Sequence, residues 1–388
     1  MSAITVTPQT TFVSERAASI AHLSVRLGSI DVSRGFTIAG MLLVNAAGDF
    51  DHVYKQLAHA AWDGFTFADF VFPSFIFLMG ASIAFALGRA RGEAQSARAV
   101  WVRVFRRTVL LLLLGFLVNG YPSFDLATLR IPGVLQRTAL AYLVTASVFL
   151  AFPRALTQLG VGAALVVVYE VLLRLGAGPG AWLTPDGNFA GVVDRLFLRG
   201  HMLTPAFDPE GLLAVLPTAA TAILGVLAGR WLRTAKSPAR RIVGLTAAGL
   251  LLLGGGLALH PMIPINKSLW SASFVLVTGG LCSLLVAGLH GVIDVAGIQR
   301  WAVPLRWLGK NPIAVYVLSS LLTTTFLAIV IGMGGPAPAT LHVWTFEHLY
   351  LPFAGCPETA SLLHAATFLG IWTAIAGFME RKQIFLRV

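Results

Sequence analysis

The chain has 388 residues, 56% of them hydrophobic and only 12% charged, with a mean hydropathy of +0.79. A soluble domain carries about 25% charged residues, so a water-facing globular protein is excluded, and no tract alternates strictly enough for a transmembrane barrel strand. The net charge of +11 calls for no nucleic acid, because the cytoplasmic loops of membrane proteins collect Lys and Arg. Cys282 and Cys356 are the only cysteines. They form no metal spacing and no disulfide framework, and no metal is expected.

Residues 1–28 read as a cytoplasmic tail. The first 26 lack an apolar run, so no cleavable signal peptide is expected. Residues 29–388 read as one all-α, polytopic transmembrane bundle in a lipid bilayer. Ten helices are predicted near 32–48, 67–88, 104–121, 132–152, 155–175, 211–232, 241–260, 270–290, 311–333 and 361–379. Each is near the 20 residues that span a hydrocarbon core. The stretch 334–360 reads as a loop, with or without a re-entrant piece. With the amino terminus inside, all but seven of the 28 basic residues fall on cytoplasmic segments. This asymmetry predicts ten spans with both termini in the cytoplasm.

The ionisable residues at membrane depth are the functional candidates, because burying them is costly. Asp31 and Arg34 share one face of the first helix. They fit a helix cap made by Ser29 or Asp31 with a snorkelling arginine, or a place near a phosphate-bearing ligand. Asn45 lies roughly 21 Å further along that helix, and its amide can pack against a neighbour or orient a carbonyl. His59 stands among Tyr54, Trp62, Asp63 and Asp69. A neutral imidazole there can take a proton from an amine or hydroxyl, and Asp69 can reach back to orient it if the second helix begins near Phe67. The bland alternative is a histidine in an interfacial aromatic belt. Arg137 sits one turn inside the fourth span and needs a carboxylate, a carbonyl or a wet cavity, with Asp69 as one structural partner. Glu170 and Arg174 have ion-pair spacing. Asn266 and Lys267 precede Trp270 as binding residues or as an interfacial anchor. Asn311-Pro312 opens a helix, after a basic cluster of Arg300, Arg306 and Lys310.

Five segments carry a resemblance. "RLGSIDVSRGFTIAGMLLVN", "HAAWDGFTFADFVFPSFIFLMGASIA", "IPGVLQRTALAYLV", "PINKSLWSASFVLVTGG" and "LGKNPIAVYVLSS" resemble, in order, the signature blocks of the heparan-alpha-glucosaminide N-acetyltransferase family. They cover most of residues 26–320. The D-x-x-R-G start of the first helix is similar to that of the wider transmembrane acyltransferases. The resemblance implies an acetyl group passed from cytoplasmic acetyl-CoA to an amino sugar or glycan on the far side. It places the family's active-site histidine on His59 and its active-site asparagine on Asn45.

On that reading His59 is the general base or an acetyl carrier, Asn45 a donor to the carbonyl oxygen, and Asp69 the group that fixes the imidazole. Arg137, Trp62, Asn266 and Lys267 are acceptor-binding candidates. Asp31, Arg34, Arg306, Lys310 and Asn311 are candidates for holding the CoA phosphates. A bacterial member would lie in the inner (cytoplasmic) membrane and would not meet heparan. Dimers occur in the family, so a homodimer is among the arrangements it allows. Two other functions fit the same residues. One is a transporter of amino sugars or muropeptides, which predicts inverted repeats and no CoA binding. The other is an O-acetyltransferase of envelope polysaccharide.

Overall fold

The computed structural model describes residues 27–92, 95–175, 181–234, 236–331 and 339–386. Most of the expected cytoplasmic tail, part of the 334–360 loop and Arg387 lie outside them. In chain order the helices are α1 (Gly28–Asn45), α2 (Phe67–Gly92), α3 (Ala97–Gly120), α4 (Val134–Ala151), α5 (Ala155–Leu175) and α6 (Phe189–Leu198). There follow α7 (Val215–Leu232), α8 (Pro238–Leu259), α9 (Ala272–Leu289), α10 (Val303–Lys310), α11 (Pro312–Ala328), α12 (Leu341–Thr345) and α13 (Pro357–Arg381). A π turn, His290–Val295, extends α9. A two-residue antiparallel pairing joins Val330–Ile331 to Ala339–Thr340.

Among the described residues, seven helices are long and apolar enough to cross a bilayer: α2, α4, α5, α7, α8, α9 and α13. The pair α10–α11, bent by 74° at Asn311, supplies an eighth. The other two expected spans are α1 and α3, 18 and 24 residues long. Asp31 and Arg34 in the first, and Arg98, Arg103, Arg106 and Arg107 in the second, set them apart from the apolar seven. The helical bundle is therefore as composition implies, while the count of ten rests on the charge distribution.

The middle of the bundle is α1, α2, α7 and α9. The apolar stretch of α2 is 72% buried, against 17% for the peripheral α8. In lipid, helices gain little from hiding apolar surface, so close backbone packing through small residues must hold them. A side chain on Gly80 would strike the carbonyl of Ala222, and one on Gly225 that of Phe77. These contacts lock α2 to α7. In the same way Gly35 meets Leu305 and Gly309 meets Asp31, which presses α10 against the start of α1.

Several expectations change. Ser29 lies inside α1, and among the described residues its hydroxyl has no partner, so it does not cap the helix. The carboxylate of Asp294 caps it from the π turn, 3.3 and 3.4 Å from the Ser29 amide. The span expected to reach 333 stops at Ala328. The expected outer loop 176–210 contains α6, whose Asn188 side chain accepts from the Gly191 amide at 2.7 Å as its cap. The 334–360 loop contains α12. Glu170 and Arg174 do pair, at 3.3 Å.

Candidate active site

The segment between α1 and α2 carries His59, and local chemistry fixes where it points. Asp69, in the first turn of α2, reaches back to the Thr66 amide, which is half of a capping box. Asp69 Oδ2 accepts from the Thr66 amide at 3.1 Å and from the Ala60 amide at 3.1 Å. The Thr66 hydroxyl lies 3.0 Å from the same oxygen. The other oxygen, Oδ1, lies 2.9 Å from His59 Nδ1. Asp69 has no exposed surface, whereas the His59 side chain is 46% exposed. A buried carboxylate thus accepts the hydrogen bond of Nδ1–H, which keeps the proton on that nitrogen and leaves the Nε2 lone pair for the cleft.

Lys267 reaches the same imidazole from the α8–α9 turn. Its Nζ stands 3.1 Å from Nδ1, 3.2 Å from Nε2 and 3.9 Å from Asp69 Oδ1. The turn is built to present it. Asn266 Oδ1 accepts from the Leu269 amide at 2.7 Å, and Asn266 Nδ2 donates to Asp63 Oδ1 at 3.0 Å. Trp270 closes the turn at φ +53°, a strained conformation for a bulky residue. Its indole donates to Thr221 Oγ1 at 3.1 Å. Burial pushes the Lys267 ammonium below its ordinary pKa, against the opposing pull of Glu210 and Asp69.

These groups open on a cleft of about 140 Å³ lined by Asn45, His59, Glu210 and Lys267 over an apolar floor that includes Met41 and Phe72. A narrower gap between α1 and α11 shares Met41 and Asn45 with it and is lined by Tyr316, Ser319, Ser320 and Thr323. Sequence reasoning missed Glu210. Its carboxylate sits 2.5 Å from Arg130 Nη2, and Arg130 also holds Asp208 at 2.6 Å. The "DPEG" turn was readable as a polar loop, but nothing local ties it to a histidine some 150 residues earlier.

The other candidates scatter. Arg137 does not hold Asp69. Its guanidinium donates to the carbonyls of Pro209 and Ala214 at 2.7 and 3.1 Å, and lies over the Trp270 ring at 4.3 Å. This satisfies a charge inside the bundle with backbone oxygens and a π face. The Trp62 indole donates to the Leu183 carbonyl at 2.6 Å, and its ring packs on Phe207. It ties the His59 loop to the segment before α6. Of the neighbours expected around His59, only Asp69 bonds to it, since Tyr54 reaches Thr359 at 2.8 Å and Asp63 meets Asn266.

At the opposite end of α1, Arg34 pairs with Asp31 at 3.1 Å and donates to the Gly309 carbonyl at 3.3 Å. Lys310 pairs with Glu380. Asn311 holds the residues after α13, donating to Ile384 O and accepting from the Leu386 amide, both at 3.0 Å. Arg306 lies on α10 between them. The five residues expected at the CoA phosphates therefore gather where α1, α10 and α11 meet, and four of them already brace that junction.

A family model described as "Heparan-alpha-glucosaminide N-acetyltransferase, catalytic" matches residues 26–259. Asn45, His59, Asp69, Arg137 and Glu210 fall inside that stretch, and Lys267 just beyond it. The human heparan-alpha-glucosaminide N-acetyltransferase is 30% identical over 357 residues, which covers 77% of this chain and 53% of the human protein. The mouse protein of the same name is 29% identical over 361 residues, covering 78% of this chain and 54% of its own. The chain spans about half the length of these curated relatives. With well over half of its residues matched, the chain belongs to the heparan-alpha-glucosaminide N-acetyltransferase catalytic family.

Proposed function

We propose that the protein is a transmembrane acetyltransferase, which moves an acetyl group from cytoplasmic acetyl-CoA to an amino sugar or glycan on the extracytoplasmic side. The observation that carries this reading is the His59–Asp69 pair, at 2.9 Å, on the wall of a cleft shared with Asn45 and Lys267, in a chain of this family. The gap along Tyr316 to Thr323 supports a route for the pantetheine arm from the α1–α10–α11 junction. Arg34, Arg306 and Lys310 would supply cations there for the CoA phosphates. The setting we infer is the inner membrane of a bacterium, with both termini cytoplasmic.

In the reaction, the neutral amine nitrogen attacks the thioester carbonyl carbon, and His59 Nε2 accepts the amine proton. Asn45 Nδ2 and Lys267 Nζ donate to the oxygen as it gains negative charge. Collapse of the tetrahedral intermediate breaks the C–S bond, and the imidazolium returns its proton to the CoA thiolate. Asp69 stays ionised throughout and stabilises the imidazolium that forms. Lys267 Nζ, nearly equidistant from the two ring nitrogens at 3.1 and 3.2 Å, stands beside the imidazole rather than on the Nε2 lone pair, and would turn toward the carbonyl oxygen when the acceptor binds.

The test is acetyl transfer from labelled acetyl-CoA to glucosamine by purified protein in detergent. Wild type should label the sugar nitrogen. His59→Ala should lose at least ~10²-fold in kcat and still bind CoA. Full activity in that variant would remove His59 from the chemistry.

A further inference from the structure

A second cavity, of about 90 Å³, lies beside the catalytic cleft between α3, α4 and the start of α7. Its walls are apolar, formed by Leu112, Phe116, Leu140 and Val215. One neutral polar side chain lines it, that of Gln136, which is 5% exposed. Among the described residues, neither Oε1 nor Nε2 of Gln136 has a hydrogen-bond partner, and neither has Nε of the adjacent Arg137. The amide is given its place by two glycines, since a Cβ on Gly115 or Gly133 would collide with it. Glu210 lines this cavity and the catalytic cleft alike.

Position adds to the chemistry. On the proposed topology the amino-terminal end of α4 lies toward the extracytoplasmic face. α3 is on the outside of the bundle, with Leu113 and Leu117 58% and 37% exposed, and Leu212 at the rim is 38% exposed. The cavity is thus an apolar crevice near the bilayer-facing edge, with Glu210 lining both it and the cleft of His59. A water-soluble sugar gains nothing from such walls. A hydrocarbon chain does, and a buried amide with no partner is satisfied when a ligand brings one.

We propose that the acceptor is lipid-linked: its hydrocarbon chain lies in this crevice, the oxygen-bearing linkage between chain and sugar meets the Gln136 amide, and the amino sugar passes Glu210 to reach His59. The proposal rests on the acetyltransferase reading above for the sugar's destination, but the crevice can be tested without catalysis.

The test uses the full chain in lipid nanodiscs, with glucosamine and dodecyl glucosaminide as acceptors, for wild type, Leu140→Trp and Gln136→Leu. Leu140→Trp fills the crevice, and Gln136→Leu removes the amide at similar volume. The KM for dodecyl glucosaminide should rise about tenfold in Leu140→Trp and severalfold in Gln136→Leu, with the KM for glucosamine unchanged. Equal shifts for both acceptors, or none, would overturn the proposal. In parallel, binding of radiolabelled dodecyl glucosaminide is measured without acetyl-CoA. Saturable binding that Leu140→Trp abolishes, with no transfer to either acceptor, would uphold the crevice and defeat the acetyltransferase reading. Transfer to glucosamine without saturable binding of the lipid analogue would do the reverse.

Discussion

Asp69 divides its work between its two oxygens. Oδ2 closes the first turn of α2, and Oδ1 holds the His59 ring. Asp69→Asn keeps the shape but offers an amide that can present N–H to Nδ1, which would favour the wrong tautomer. We expect kcat to fall ~10²–10⁴-fold with little change in KM, read by steady-state kinetics. An unchanged kcat with a lowered Tm would show that Asp69 serves only the helix cap. A second residue-scale prediction concerns Arg130. Burial alone would raise the Asp208 carboxyl, but the hydrogen bond and charge of Arg130 outweigh it and hold Asp208 below its ordinary pKa. The sign follows from linkage: the stabilisation is fully present above the unfolded value, near 3.9, and is lost as pH falls through the lower folded value. Hydrogen-exchange protection, relative to the intrinsic rate at each pH, should therefore persist in residues 199–214 at pH 5 and fall below about pH 4. Arg130→Gln should leave two carboxylates without their cation, cost on the order of 3–5 kcal/mol, and speed exchange at pH 7 as well.

At the scale of elements, the first half of α1 is fastened by parts of the chain far away in sequence. Asp294 receives the Ser29 amide at its start, and Gly309 and Gly35 let α10 touch it through backbone. Gly309→Leu has no room, because its side chain would lie on the Asp31 carbonyl. It should separate α10 from α1 and lower Tm in detergent by several degrees. Asp294→Ala should cost ~0.5–2 kcal/mol, the usual worth of a helix cap, since a fixed carboxylate also answers the positive end of the helix. If these two variants matched wild type in a thermal scan, the α1–α10 junction would not be what holds Asp31, Arg34, Arg306 and Lys310 together. The helices α6 and α12 escaped the sequence reading for one reason. Each is ten residues or fewer, too short to span a bilayer and too short for several turns of a periodic pattern to show.

For the molecule as a whole, the distribution of Lys and Arg is the topological argument. A reporter fused after Val388 should read cytoplasmic in a bacterial host, and an extracytoplasmic signal would break the even number of spans and invert the route proposed for acetyl-CoA. The sequence by itself determined that the chain is a helical membrane bundle, because apolar runs of spanning length and a 12% charged fraction leave no other solvent for it. It also made the His59–Asp69 pair legible on one condition, that α2 begins near Phe67, and the helix does begin there. Only the tertiary structure decided that Lys267 and Glu210 join His59, that Arg137 answers to carbonyls and Trp270 in place of Asp69, and that Asp294 caps α1. The physical reason is range. Helix starts and charge bias are set by neighbours a few residues apart, whereas the walls of a cleft are set by which glycine faces allow which helices to touch, and that choice is made across the whole chain at once.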